Sequence, residues 1–257
     1  VLVDDADYEC VTARVLAGAR ARQPMAVSAL AVHGVVSAHG DPSLRSRLNR
    51  FDLVVPDGQP VRWALRLLHR SGLEDRVYGP ELTRRLLSAA SVEGLPVYFY
   101  GSTPANVEAI GRRLPVLYPG LVVAGIEPSA FRPISDGEQA ALAHRIAASG
   151  ARMVFVGLGC PRQERFAYAL RERVAVPILA VGAAFDFFAG TLSEPPMFVQ
   201  DHGLQWLWRL CQEPRRLWRR YLLLNPAFVG LLIAQRAGFW RPTADPHDPP
   251  DPEPVPG

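Results

Sequence analysis

The stretch VVPDGQPV (54–61) sets Asp57 directly after a short apolar run and before Gly58. A carboxylate at the end of a buried strand faces a crevice, where it can take the proton from an attacking hydroxyl. The same position suits a turn aspartate that caps a helix starting near Gln59. Position alone divides these two readings evenly. In DRVYGPEL (75–82), Arg76 stands beside a glycine turn. Its guanidinium could hold a leaving diphosphate in a bidentate contact; a surface ion pair with Glu74 or Asp75 is the plainer alternative. YFYGSTPANVEAI (98–110) reads as a strand, a turn at Gly101, Ser102 and Thr103, and a helix start whose free amides suit an anion or a ribose. Ser102 or Thr103 would equally serve as a helix cap. GLGCPRQE (157–164) offers Gly157 and Gly159 for close backbone approach, with Arg162 and Gln163 to touch phosphate or sugar hydroxyls. Glu164 there contacts ligand or answers a helix dipole. Asp186, between Phe185 and Phe187, orients a hydroxyl or satisfies turn amides. His33 lies in an apolar stretch that favours a buried, satisfied imidazole over a catalytic one. The chain has neither a GxGxxG fingerprint nor a GxxxxGK[ST] loop, and no His, Cys and acid cluster has metal-ligand spacing. No metal and no cofactor is expected.

These groups must be placed by a scaffold, and the chain repeats one form from about residue 51 to 190. Apolar runs FDLVV (51–55), PVYFY (96–100), LVVAG (121–125), MVFVG (153–157) and ILAVG (178–182) alternate with helix-like stretches at 59–70, 80–92, 104–114, 136–149 and 162–173. Runs without polar alternation mark strands buried on both faces. The expected fold class is therefore α/β, a Rossmann-like, mostly parallel sheet flanked by helices, which binds ligands beyond the carboxyl ends of its strands. MAVSALAVHGVVSA (25–38) fits a strand running into a helix. Thr103-Pro104 and Cys160-Pro161 each place a proline at a helix start.

From residue 203 the pattern turns wholly helical, with breaks expected at Pro214 and Pro226. The expected division is a core at 1–202, a basic helical appendage at 203–240 and a disordered, proline-rich acidic tail at 241–257. All 28 basic residues are arginine, and a formal charge of +3 understates the appendage, where Arg209, Arg215, Arg216, Arg219 and Arg220 crowd together. A helical projection over 203–221 sets Trp206, Leu210, Leu217 and Tyr221 opposite the arginines. Apolar anchors beside arginines suit an anionic membrane surface. The apolar run YLLLNPAFVGLLIA (221–234) is too short to span a bilayer. No nucleic-acid motif accompanies the arginines. Three dispersed cysteines and a start without a secretory leader predict a reducing, cytoplasmic setting on the inner face of the plasma membrane. Lipid or self-association into a homo-oligomer would mask the apolar appendage.

In order, the segments FDLVVPDGQPV, DRVYGPEL, VYFYGSTP, VFVGLGCPRQE, VGAAFDFFAG and GLQWLWRLCQEPRRLWRRY resemble the WecG/TagA/CpsF glycosyltransferase family (glycosyltransferase family 26) across roughly residues 25–225. The resemblance implies an inverting, metal-independent transfer from a UDP-sugar donor, typically UDP-N-acetylmannosamine. The implied acceptor is a polyprenyl-diphosphate-linked sugar, in cell-wall teichoic acid or surface polysaccharide synthesis. It makes Asp57 the base, Arg76 and Gln163 pocket residues, and the arginines of EPRRLWRRY neutralisers of diphosphate or lipid phosphate. Two departures stand out. The family's threonine and asparagine in the first strand-to-helix turn correspond to Ser28 or Ala29 and to Ala31, and its basic-Ala-Pro after FDFxAG is Glu194-Pro195-Pro196. Rival readings are a non-catalytic nucleotide-sugar-binding protein of polysaccharide assembly and a nicotinamide-dependent oxidoreductase; the absent GxGxxG argues against the second.

Overall fold

A computed structural model of the chain describes residues 1–239 and 255–256. Its centre is a six-stranded parallel sheet built from β1 (Met25–Leu30), β2 (Leu53–Pro56), β3 (Val97–Gly101), β4 (Val123–Glu127), β6 (Met153–Gly157) and β7 (Pro177–Ala180), in the order β2-β1-β7-β6-β3-β4. A two-residue β5 (Pro133–Ile134) pairs antiparallel with β8 (Val255–Pro256). The rest of the expected tail lies outside the described residues.

The helices are α1 (Tyr8–Ala21), α2 (Val32–Gly40), α3 (Pro42–Leu48), α4 (Gln59–His69), α5 (Gly79–Glu93), α6 (Pro104–Leu117), α7 (Asp136–Ala148) and α8 (Arg162–Arg171), then α9 (Ala184–Ala189), α10 (Met197–Asp201), α11 (Gln205–Gln212) and α12 (Pro214–Arg236). Alternate strand residues enter opposite cores. Val27, Val55, Val97, Phe99, Phe155 and Leu179 pack with α1, α5, α6 and α9. Tyr98, Tyr100, Val154, Val156 and Ile178 pack with α7 and α8, and a smaller cluster joins Leu30 and Val54 to α2 and α3. Burial on both faces explains the unbroken apolar runs. At the edge, β4 is only half-buried along its length.

Local signals act as their chemistry requires. Thr103 caps α6 by accepting from the Asn106 backbone, with Pro104 at the first helical position, and Ser135 and Glu138 form a capping box on α7. At the second proline the outcome differs: the Cys160–Pro161 bond is cis and α8 begins one residue later, at Arg162. Pro214 does open α12, but the break expected at Pro226 is absent, because that proline lies inside a continuous 23-residue helix. A proline removes a single intrahelical hydrogen bond, and here Phe228, two residues on, is buried and anchors the same stretch. No described helix is long and apolar enough to cross a membrane.

Candidate functional site

All the strand ends of β1, β2, β3, β6 and β7 open on one cavity of about 500 Å³, a size that accepts small-molecule ligands. Helices α11 and α12 cover it from the far side. Sheet order therefore fixes the sequence of groups across its floor: Asp57 after β2, the 29–34 turn after β1, Gly182 after β7, Gly157 and Gly159 after β6, and Ser102 after β3.

Asp57 is held by its backbone N–H, which donates to the carbonyl of Leu30 at 3.1 Å. Its half-buried carboxylate lines the cavity. Burial pushes its pKa up to about 6, while Arg76, the Gly79 backbone N–H, Arg209 and Arg220 favour the charged form. Helix α4 is capped by Gly58, which makes no side-chain cap bond, and Asp57 is not its N-cap residue. The helix-cap reading of Asp57 therefore falls away.

Arg76 is 6% exposed, so the surface ion pair drawn as its plainer role does not describe it. Asp75 instead accepts from the Gln59 side chain at 3.1 Å and from the Arg76 backbone at 2.7 Å. The Arg76 guanidinium lies 4.8 Å from the Tyr78 ring centroid and lines the cavity.

On the middle strands, Gln163 donates to Glu164 at 2.9 Å, and its own carbonyl oxygen is buried without a partner at the cavity wall. Glu164 itself is wholly buried behind that wall, where it also accepts from the Ser28 hydroxyl at 3.2 Å. Burial raises its pKa, against the hydrogen bonds from Gln163, Cys160 and Ser28. Ser28 and Glu164 thus stand behind the wall and orient Gln163. Arg162 lines the cavity.

At the β3 end, Asn106 joins two residues singled out in the sequence. Its side-chain amide donates to the Ser102 hydroxyl and to the Asp186 carboxylate, each at 2.9 Å. Asp186 has a raised pKa, from burial against the opposing field of Arg216 and Arg209. Ser102, Thr103, Asn106 and Asp186 all line the cavity. Asn106 escaped the sequence reading; its signal was its place in the first turn of a helix that begins at a strand's carboxyl end. Gly101 has a packing role, since a Cβ there would lie 2.7 Å from the Gly157 backbone.

The appendage differs from the projection. Arg209, Arg216 and Arg220 line the cavity together with Trp206, Leu217 and Tyr221, so the two expected faces meet at one site. The break at Pro214 resets the helical phase, and the Trp206 and Tyr221 rings then meet edge to face at 5.8 Å. Arg209 and Arg216 share Glu213, at 3.1 and 2.5 Å, and the Nε atoms of Arg209 and Arg220 are buried without partners. Burial lowers the pKa of Arg220. Arg215 and Arg219 stand outside the cavity and are exposed, Arg219 lying over the Trp218 ring at 5.2 Å.

His33 lines the cavity as well, with a buried Nδ1 that has no partner, which overturns the satisfied core imidazole. Glu194 pairs with Arg84 on α5, which is also bound to Glu81 at 2.6 Å. The reversed charge there serves a contact with the core and not the cavity wall. Next to it, the backbone N–H and hydroxyl of Ser193 donate to Gln212 at 3.1 and 3.2 Å, tying this loop to α11. Among the described residues, no group of three or more His, Cys, Asp or Glu side chains could hold a metal ion.

A parallel sheet with a cavity beyond its strand ends, roofed by arginine-bearing helices, defines a Rossmann-like α/β protein. The profile of the Glycosyl transferase WecG/TagA/CpsF family matches residues 1–242, so the chain belongs to that family. One relative, the N-acetylglucosaminyldiphosphoundecaprenol N-acetyl-beta-D-mannosaminyltransferase of Bacillus spizizenii, is 32% identical over 211 residues, covering 80% of this chain and 76% of the relative. The protein is a glycosyltransferase.

Proposed function

We propose that the protein moves an N-acetylhexosamine, typically N-acetylmannosamine, from a UDP-sugar to a polyprenyl-diphosphate-linked sugar, with inversion, in cell-wall or surface polysaccharide synthesis. The observation that carries this reading is the Asp57 carboxylate on the floor of a cavity lined by Arg76, Arg209, Arg216 and Arg220. Strands lie about 4.8 Å apart, so β3 and β1 ends are separated by roughly 14 Å across the sheet. That span suits a nucleotide sugar laid along the edge. Its nucleoside meets Ser102, Asn106 and Asp186, its diphosphate the Gly157 and Gly159 turn, and its sugar Asp57.

In the reaction, Asp57 takes the proton of the acceptor hydroxyl as that oxygen bonds to the anomeric carbon. The bond from that carbon to the phosphate oxygen breaks on the opposite side, and the electron pair leaves with UDP. The arginines oppose the charge that grows on the diphosphate. The transfer is read as metal-independent, with arginine in the place a cation would hold. Residues 1–202 form the catalytic core and 203–240 the appendage that completes the site. That appendage seats the enzyme on an anionic membrane surface, on the cytoplasmic side.

Asp57→Asn should lower turnover by about 10²–10⁴-fold, the usual worth of a general base, while UDP-sugar binding stays within a few-fold. The assay is UDP release measured with donor and lipid-linked acceptor together and separately. Near-wild-type turnover in this variant would remove Asp57 from the role.

A further inference from the structure

In the turn after β1 the cavity is lined by Ala29, Leu30, Ala31, Val32 and Gly34, whose side chains offer no hydrogen bond, and by His33, whose side chain does. We infer that His33 is a specificity-determining contact of the transfer reaction, hydrogen-bonding a hydroxyl or acetamido group of a sugar ring held at the Asp57 end of the cavity. The inference rests on the glycosyl-transfer reading above and names a residue that reads the sugar.

Geometry supports it in three ways. His33 sits in the first turn of α2, just beyond β1, and the carbonyl of Leu30 at the end of β1 holds the Asp57 backbone N–H at 3.1 Å. The imidazole therefore stands on the β1 side of the cavity, three strand positions from the β3 end that carries Ser102 and Asn106. Its Nδ1 is shielded from water and makes no hydrogen bond within the protein. A buried polar atom without a partner is unfavourable, and a ligand group can relieve that penalty. Ala31 also caps α2 without a side-chain bond, leaving the helix start open to the same ligand.

The chemistry of the contact follows from its surroundings. Burial and the neighbouring positive charge of Arg220 hold the His33 pKa down to about 4, so the ring is neutral at pH 7. A neutral imidazole presents one donor and one acceptor. That pair matches a hydroxyl or an amide. A diphosphate, which accepts only, matches the arginines better.

His33→Phe is the direct test, because it keeps an aromatic ring at this position and removes both ring nitrogens. UDP release would be followed while donor and acceptor are varied in turn, beside thermal unfolding and UDP binding by calorimetry. The expected result is a fall of threefold or more in kcat/KM for the donor or the acceptor, as loss of one hydrogen bond implies. Whichever substrate carries the fall identifies the sugar that is read. UDP affinity should stay within twofold and the melting temperature should not drop, and His33→Gln should recover part of the loss. A change of less than threefold for both substrates overturns the inference, as does a fall tracked by lost UDP affinity or stability. If wild-type protein released no UDP with any donor and acceptor, the transfer reading would fail instead. His33 would then be judged by whether His33→Phe weakens UDP-sugar binding and leaves UDP binding unchanged; equal effects on the two ligands would sink it.

Discussion

Asp57, the proposed base, carries a cost in the folded protein at pH 7. Burial raises its pKa from 3.8 to about 6, so the native state binds this proton more tightly than the unfolded chain. The stabilisation this gives is full below about pH 3.8 and is lost as pH rises through about 6. At pH 7.5 the ionised, partly desolvated carboxylate therefore weakens the fold. Asp57→Asn should raise stability there by roughly 1–3 kcal/mol, after allowing for its contact with solvent. Thermal unfolding of both proteins from pH 4 to 8 should show the gap close toward pH 4. Activity should run the other way. With Asp57 as base, kcat/KM should fall about tenfold per unit below pH 6, as the carboxylate protonates. A rate flat from pH 7 to 5 would exclude this residue as the titrating base. The enzyme is thus expected to be most active where this residue costs it most stability.

At the scale of elements, the close crossing of β3 and β6 sets the geometry of the cavity floor. Gly101 pairs with Gly157 across the two strands and has a φ of +124°, where a side chain is strained. Gly101→Ala would drive a methyl group into the Gly157 backbone and should destabilise the fold by about 1–3 kcal/mol. A drop in denaturation midpoint of that size, beside a smaller effect of Gly137→Ala, checks it; a Cβ at Gly137 meets open space.

These elements differ in how far the sequence announced them. Strands such as MVFVG and PVYFY were legible because burial on both faces demands unbroken apolar runs. Asp57 and Gln163 could be singled out because they follow a strand end or a glycine turn, whereas Arg76, beside a glycine turn, read more plainly as a surface ion pair. Helix α1 was not, although Asp7 caps it, since its apolar side chains are scattered among polar ones. Nor was the inward turn of Arg209, Arg216 and Arg220, because a projection cannot carry phase across Pro214. Asn106 stayed hidden for a related reason. Its role depends on Asp186, eighty residues away in sequence and joined to it only by the fold.

At the scale of the whole molecule, the cavity is closed by a part of the chain that also exposes large apolar side chains. Trp218, Leu222 and Leu223 on α12 are 45%, 64% and 67% exposed, with Arg215 and Arg219 beside them. This combination favours an anionic bilayer surface, where tryptophan and leucine enter the headgroup region and arginine meets lipid phosphate. Replacing Trp218, Leu222 and Leu223 by Ala should lower partitioning onto anionic lipid vesicles by at least about tenfold, given roughly 1.5–3 kcal/mol for each large apolar side chain fully buried. Sedimentation with vesicles measures this, and rising salt should weaken whatever part the arginines supply. Equal partitioning of variant and parent would move the membrane contact elsewhere. The α4 residues Trp63 and Leu67, 49% and 52% exposed, would be the next to test.

The arginines that turn inward have a consequence for the end of the catalytic cycle. Of the three guanidinium groups on α11 and α12, those of Arg209 and Arg216 share a single acid, Glu213, and the Nε atoms of Arg209 and Arg220 are buried without partners. Once the glycosidic bond has broken, the diphosphate carries more negative charge than it did in the donor. With the diphosphate held by this roof, as proposed, UDP should bind more firmly than the incoming sugar nucleotide. Under this scheme the slow step of turnover is letting go of UDP, and accumulated UDP acts as a brake on further transfer.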